Sequence, residues 1–169
     1  VDQSEYVRKI KPIFIPALRR KQPTSKLSPT ELTQYQGLTQ QLAWPARVSL
    51  PGLYHLVSGL QQGVKEPTVS SLNRANFVLK EAQQMVQAKE GRKFRRWKGA
   101  NVSEPVAVAS VHDASFAGED GLKSGQGYLT LLTSKEILKG PTWVHLIDWG
   151  GGVIHRVVKS TMAAESASC

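Results

Sequence analysis

The spacing of apolar residues changes once along this chain, close to residue 106. Upstream of that point, apolar residues recur every three or four positions, which is the period of a helix that buries one face. Downstream, they form short and almost continuous apolar runs, which favour strands over helices. The sequence therefore predicts an α+β chain, with a helical region at 1–105 and a sheet-forming region at 106–169.

Three helices are predicted in the first region. Ser28 can cap the first helix by accepting backbone N–H groups, and Glu31 can close a capping box. We expect this helix to end at Pro45, because proline has no N–H to continue the hydrogen-bond ladder. The second and third helices are predicted to start near Pro51 and Thr68. The apolar residues expected on the inner faces of the three helices are Leu32, Tyr35, Leu38, Leu42, Leu53, Leu56, Val57, Leu60, Leu72, Ala75, Leu79, Ala82 and Val86.

The other predicted elements are a connector before the helices and a sheet after them. Residues 1–27 are predicted to be irregular, because prolines interrupt every periodic run. In the second region, a glycine run that begins at Gly150 is expected to end the third of three strands. Ser160 or Thr161 can then cap a helix. The predicted strands cover residues 106–111, 127–133 and 143–149.

Positive charge is concentrated in the first region. The whole chain has a formal net charge of +9. Residues 1–105 hold 17 Lys and Arg against 7 Asp and Glu, whereas residues 106–169 hold 5 against 6. A basic surface of this kind favours a polyanion such as nucleic acid, through phosphate neutralisation and counterion release. A solvated basic surface without a partner is the alternative reading.

The densest basic run lies at residues 92–98 and contains two aromatic residues. Its cations could contact phosphates while an aromatic ring stacks on a base or packs under a strand. The alternative is a solvated linker between the helical region and the sheet. The candidate nucleic-acid-binding residues are Arg92, Lys93, Arg95, Arg96, Trp97 and Lys98.

Two carboxylates are the candidates for catalysis. Asp113 directly follows the apolar run of the first predicted strand, and Glu165 lies on the helix expected after the third. If that helix packs across the strands, the two side chains could share a divalent metal, and hard oxygen ligands suit Mg²⁺ or Mn²⁺. The alternative is a strand-end turn residue and an acid placed near a helix start by the macrodipole.

Several other classes of protein are disfavoured by the sequence. A single cysteine excludes an internal disulfide, and the four histidines lack the spacing of zinc ligands. No run of about 18 apolar residues and no signal-peptide core is present, so we expect an intracellular protein without a membrane span. The first residue is Val1 and the last is Cys169, with no tail signal. We therefore expect a piece of a longer product.

Four motifs of the second region occur in the order and at the separations of four motifs of one family. The motif that starts at Asp113 resembles D-x-D-W-A-G, and residues 123–128 are similar to R-K-S-T-S-G-Y. Further along, residues 146–149 resemble L-I-S-W, and residues 160–166 resemble S-S-A-E-A-E-Y. These motifs belong to the ribonuclease H domain of copia-type retrotransposon polyproteins. In this chain they read D-A-S-F-A-G, K-S-G-Q-G-Y, L-I-D-W and S-T-M-A-A-E-S.

The first region resembles another part of the same polyproteins. Residues 2–7, which read D-Q-S-E-Y-V, are similar to the Q-S-x-Y-I that follows the polymerase domain. Residues 35–60 resemble the Y-R-S-L-x-G-S-L-x-Y-L to A-V-S-x-L stretch. The resemblance implies a helical reverse-transcriptase connection region joined to the N-terminal half of a ribonuclease H domain, which would hold three antiparallel strands of a mixed sheet and its first helix. Its partners would be an RNA–DNA hybrid or other nucleic acid, and the remainder of the parent polyprotein.

The resemblance also implies roles for individual residues. Asp113 matches the first metal-binding Asp of the ribonuclease H fold, and Glu165 matches the metal-binding Glu of its first helix. Ser115 and Ala163 replace two other acids of the family's motifs, neither of which is the usual ligand. The remaining active-site positions would follow Cys169. The parent would hydrolyse the RNA strand of hybrids with Mg²⁺, in a cytoplasmic particle or the nucleus.

Two further interpretations stay open. One is a nucleic-acid-binding module in which the basic first region matters and the carboxylates do not. The other is an inactive remnant expressed from a degenerate copy of such an element.

Overall fold

The computed structural model describes residues 2–93, 106–119 and 123–154. Contacts divide the chain into two compact units, Val1–Arg92 and Lys93–Cys169. We call them the helical unit and the sheet unit. Together they form a mixed architecture of helices and one antiparallel sheet, which confirms the predicted α+β class.

The helical unit contains five α-helices and two short 3₁₀ turns among its described residues. The 3₁₀ turns are Pro51–Leu53 and Gly63–Lys65, on either side of the fourth helix. The helices are α1 (Ser4–Lys9), α2 (Ala17–Arg20), α3 (Pro29–Val48), α4 (Tyr54–Gln62) and α5 (Val69–Gln87). The three helices predicted from the apolar spacing correspond to α3, the turn at Pro51 with α4, and α5.

The start of α3 agrees with its prediction, but its end does not. The Glu31 N–H donates to Ser28 Oγ (3.3 Å), and the Ser28 N–H donates to Glu31 Oε2 (2.8 Å), so the capping box is confirmed. Pro45 lies inside the helix, which was predicted to stop there. The carbonyl of Gln41 would normally accept the N–H of residue 45, and it instead accepts the Tyr6 hydroxyl at 3.3 Å.

The segment before α3 is more ordered than the predicted connector. It contains α1 and α2, and it is fastened to α3 by Arg19, whose Nε and Nη2 each donate to Glu31 at 2.9 Å. Arg19 Nη2 also donates to the Lys26 carbonyl at 2.7 Å. Val7, Ile10 and Ile15 from this segment are buried in the core. The prolines therefore divide the segment without preventing it from packing.

One apolar core holds the helical unit together. The Tyr35 hydroxyl donates to the Leu60 carbonyl at 2.7 Å inside this core, which satisfies a buried polar group. Most of the residues predicted for the inner faces are buried, although Leu32 and Leu56 are only partly so. The helical core consists of Tyr35, Leu38, Leu42, Ala46, Leu50, Leu53, Val57, Leu60, Val69, Leu72, Ala75, Val78, Leu79, Ala82 and Val86, with the three residues from the first segment.

The sheet unit contains three strands in the order β1-β2-β3 among its described residues. The strands are β1 (Val106–Glu119), β2 (Lys123–Ser134) and β3 (Val144–Val153), and both neighbouring pairs are antiparallel. The three predicted strands are confirmed. The prediction that the glycine run ends β3 is wrong, because Gly150 lies within the strand and pairs with Tyr128. A Cβ on Gly150 would lie 2.5 Å from the Tyr128 ring, so the ring needs a glycine beneath it.

The apolar side chains of β1 are more exposed than the sequence of the strand predicts. Val106, Val108 and Val111 are all exposed, with Val108 at 65%. A continuous apolar run is typical of a strand that is covered on both faces, and the described part of the chain does not cover β1 in this way. The helix predicted after Ser160 lies outside the described residues. Within them, no helix is both long and apolar enough to cross a bilayer.

Candidate metal site on the sheet

Asp113 was predicted to follow the first strand directly. The structure places it within β1 instead. The pairing of β1 with β2 continues beyond it, through Ser115 opposite Gly125 to Glu119 opposite Lys123, with a register shift between them. The strand is therefore longer than its apolar run, because backbone pairing does not require apolar side chains. The Asp113 side chain is exposed.

The positions in register with Asp113 on β2 and β3 are both glycines. Asp113 is opposite Gly127 on β2, and Gly127 is opposite Gly151 on β3. Residues in register across a sheet share one face, so the carboxylate has no neighbouring side chain along this row. We call these three residues the Asp113 row.

The third position of the row tolerates only glycine. A Cβ on Gly151 would lie 2.6 Å from the Gln126 carbonyl oxygen, which is backbone and cannot easily move away. A Cβ on Gly127 would meet nothing nearer than the Gly150 carbonyl oxygen at 3.8 Å. The two positions in register with the carboxylate therefore present only backbone atoms.

A local hydrogen bond orients the candidate carboxylate. The Ala114 N–H donates to Asp113 Oδ1 at 2.9 Å, between adjacent residues of β1. Because a carboxylate has about four lone-pair sites, this bond leaves it able to accept further ligands. Asp113 thus presents a hard oxygen donor toward open space, which is what Mg²⁺ or Mn²⁺ requires.

A polar cluster lies on the opposite face of the sheet. His112 Nε2 is 2.9 Å from Ser110 Oγ, and its ring lies 6.2 Å from that of Tyr128. The Tyr128 hydroxyl donates to Asp148 Oδ2 at 3.1 Å. Since successive strand residues point to opposite faces, His112 points away from the Asp113 carboxylate despite being its neighbour in sequence.

The second predicted ligand, Glu165, lies outside the described residues. Its convergence with Asp113 remains a prediction from the family resemblance. In residues 2–93, 106–119 and 123–154, no three side chains of His, Cys, Asp or Glu come together in a way that could hold a metal ion.

The basic run begins on the helical unit. The Arg92 N–H donates to the Ser49 carbonyl at 2.7 Å, and Arg92 is half-buried, so the first residue of the run is attached to the helical unit. Gly91 precedes it with φ at 148°, and a Cβ there would lie 3.0 Å from the same carbonyl oxygen. Lys93 is exposed. The other members of the predicted run, Arg95, Arg96, Trp97 and Lys98, lie outside the described residues.

Comparison with known proteins adds nothing to these observations. No family model matches the chain, and no curated protein or solved structure is significantly similar to it.

Sequence reasoning found Asp113 but missed the two glycines that accompany it. Gly127 and Gly151 are visible in the sequence, each inside a predicted strand or directly after one. What relates them to Asp113 is the strand register, which connects residues far apart in the chain. A hairpin alignment of the three predicted strands is the signal that could have identified the row.

Proposed function

We propose that this chain is part of a copia-type retrotransposon polyprotein whose ribonuclease H domain hydrolyses the RNA strand of RNA–DNA hybrids. The four ordered motifs of the sheet region support this proposal. The structural observation that carries it is the Asp113 row, in which an exposed carboxylate is in register with Gly127 on β2 and, one strand further, with Gly151 on β3. A bulky phosphodiester needs such access to a metal-binding carboxylate.

In this proposal, Asp113 and Glu165 hold the divalent cations of the domain. Bound Mg²⁺ or Mn²⁺ would activate the attacking water and stabilise the leaving oxygen of the phosphodiester. The protein's part is to fix the Asp113 carboxylate, through its bond from the Ala114 N–H, and to keep the approach free of side chains. The donor set fits the metal, because both proposed ligands are hard carboxylate oxygens.

The free edge of β1 is consistent with the remainder of such a polyprotein as a partner. Among the described residues, β1 pairs only with β2, so its outer edge carries unpaired N–H and C=O groups. Val106 and Val108 are exposed on this strand. Natural proteins rarely leave a long apolar edge uncovered, so we infer that further strands of the parent protein pair with it.

The principal alternative is nucleic-acid binding without catalysis, in a recruited or degenerate copy of the element. The observation that favours it is that the basic residues and the candidate metal-binding carboxylate lie in different units. Residues 1–92 hold 13 Lys and Arg against 6 Asp and Glu, a net of +7, whereas the candidate carboxylate belongs to the other unit. Nucleic-acid affinity would then reside in the basic region and fall steeply as salt rises. The carboxylates would have no role.

Cleavage of an RNA–DNA hybrid separates these proposals. The protein to assay is a longer polyprotein product that continues past Cys169, with Mg²⁺, compared with the 169-residue chain. We expect the longer product to cleave the hybrid, and Asp113→Asn to remove most of that activity, because charge is lost with little change in shape. The 169-residue chain should cleave negligibly, since Asp113 and Glu165 alone cannot hold two cations in a fixed geometry.

Asp148→Asn is the matched control for this assay. Asp148 is an exposed carboxylate of the same sheet, but it lies on the opposite face and accepts from Tyr128. The longer product with Asp148→Asn should retain its cleavage activity. Full activity of the Asp113→Asn product would show that the site is wrongly assigned. Nucleic-acid binding without any cleavage by the longer product would instead favour the non-catalytic alternative.

A further inference from the structure

Two exposed phenylalanines of the helical unit lie at adjoining places on its surface. Phe14 is 83% exposed and Phe77 is 54% exposed. The residues before them are clamped together: the Ile13 N–H donates to Asn76 Oδ1, and Asn76 Nδ2 donates to the Ile13 carbonyl, both at 2.8 Å. This clamp fixes the segment that carries Phe14 against α5, which carries Phe77.

The orientation of the segment directs Phe14 away from the core. Ile13 is half-buried and Ile15 is buried, so the intervening side chain points outward from an extended stretch. Phe77 is exposed on α5, between the buried Ala75 and Val78. Neither ring packs in the core, so core packing does not explain why these two large apolar side chains are exposed to solvent.

Lysines accompany the two rings. The Ile10 carbonyl accepts from Gln83 Nε2 at 3.3 Å, so residues 10–13 run along α5 from Gln83 back to Asn76. Lys11 and Lys80 lie between these two attachment points, one on the segment and one on the helix. Both are exposed, and neither forms an ion pair with another residue in the part of the chain that the structure describes.

We propose that this surface, formed by Phe14, Phe77, Lys11 and Lys80, binds single-stranded nucleic acid. Bases stack on the two rings, and the lysines contact the phosphates. Charge complementarity favours a polyanion, because residues 1–92 have a net charge of +7. A single strand is favoured over a duplex, because stacking on a side chain needs a base whose face is not already covered. The inference rests on the proposed function for the class of ligand, but it assigns a contact surface of its own.

The test is the affinity of the full 169-residue chain for a labelled single-stranded oligonucleotide, measured by fluorescence anisotropy across a salt series. The double variant Phe14→Ala and Phe77→Ala should weaken binding roughly 5-fold or more for each ring that stacks. The slope of log affinity against log salt should stay unchanged, because no charge is removed. Lys11→Gln with Lys80→Gln should instead reduce that slope by about 0.7 for each phosphate contact.

Two controls separate stacking from general loss of apolar surface. Replacing both phenylalanines by Leu keeps apolar area but removes the aromatic faces, so it should weaken binding nearly as much as Ala. Leu138→Ala removes an apolar side chain of the sheet unit that is even more exposed than either phenylalanine, and it should leave affinity unchanged. Because all these positions are exposed, circular dichroism should show the same folded content in every variant.

The outcomes distinguish this inference from the function on which it rests. Wild-type binding that is unaffected by the phenylalanine variants overturns the surface but leaves the proposed function standing. Wild-type protein that binds no single strand at any salt concentration also overturns the surface, and hybrid cleavage by the longer product then tests the proposed function separately. Full affinity in the leucine double variant contradicts stacking. Self-association that disappears in the alanine double variant, without a change in nucleic-acid affinity, assigns the surface to a second copy of the chain.

Discussion

The helical unit buries 18 apolar residues in one core, whereas the described part of the sheet unit buries only Trp149 and Ile154 among its apolar residues. Residues from four of the five helices, α1, α3, α4 and α5, contribute to this core, and Phe14, Leu18, Trp44 and Phe77 remain exposed. In the sheet unit, Val106, Val108, Val111 and Leu129 remain exposed. A small helical bundle can bury all its apolar faces internally, but a three-stranded sheet has two faces and two edges to cover. The contrast teaches that the helical unit has a buried core of its own, whereas the described part of the sheet buries few of its apolar side chains.

The largest expected effect comes from the same substitution made in the two units. Leu72 is 1% exposed in the helical core, and Leu138 is 91% exposed beside the sheet. Leu72→Ala should lower the free energy of unfolding of the helical unit by about 2–5 kcal/mol, because it removes buried contacts and leaves a cavity. Leu138→Ala should change the free energy of unfolding of the sheet unit by less than about 0.5 kcal/mol. Chemical denaturation followed by circular dichroism measures both, and equal effects would contradict the contrast between the units.

A smaller effect is expected from the glycines of β3. Gly151→Ala places a Cβ 2.6 Å from the Gln126 carbonyl oxygen, whereas a Cβ at Gly152 meets nothing within 4 Å. We expect Gly151→Ala to destabilise the β2–β3 pairing by about 1–3 kcal/mol through overpacking. Gly152→Ala should be tolerated. Hydrogen exchange of the β2 and β3 amides reports the difference, and equal protection in the two variants would show that the Asp113 row does not require glycine there.

The smallest stability effect concerns the clamp between Arg19 and Glu31. Hydrogen bonds from the Arg19 side chain, and then from the Ser28 backbone, lower the Glu31 pKa from 4.5 to about 2. A depressed carboxyl pKa contributes stability that is present above about pH 4.5 and is lost as pH falls through about 2. Glu31→Gln should therefore lower Tm by a few degrees at neutral pH, and its difference from wild type should vanish near pH 2.

Glu5→Gln is the matched control, because Glu5 forms an ion pair with Lys9 in which both side chains are largely exposed. Such pairs contribute little to stability. Thermal melts of wild type and the two variants across pH are the measurement. A Tm difference between wild type and Glu31→Gln that stays constant down to pH 2 would contradict the assigned ionisation.

The parts of the fold that were predicted correctly depend on local signals. Ser28 and Glu31 form a capping box within one turn, and the inner-face residues of α5 recur at helical spacing over a continuous stretch. The predicted end of α3 was wrong, because the helix continues past Pro45. There the Gln41 carbonyl accepts a hydrogen bond from Tyr6, which lies 35 residues away in the chain. No pattern within the helix could reveal that hydrogen bond.

The candidate site was only half predictable for the same reason. The motif around Asp113 identified the carboxylate, but Gly127 and Gly151 join it only through strand register. Its position inside β1 was missed because strand pairing continues through polar residues after the apolar run ends. Glu165 remains a prediction, since it lies outside the described residues.

The central proposal is that Asp113, and no other carboxylate of the described sheet, binds a divalent cation in the complete domain. Paramagnetic line broadening by Mn²⁺ tests it directly on the longer product that continues past Cys169, read from backbone amide signals. We predict that Mn²⁺ broadens the amides of Asp113, Gly127 and Gly151 first, that Asp113→Asn abolishes this, and that Asp148→Asn does not. Broadening that is centred on Asp148, or that persists unchanged in Asp113→Asn, would contradict the account.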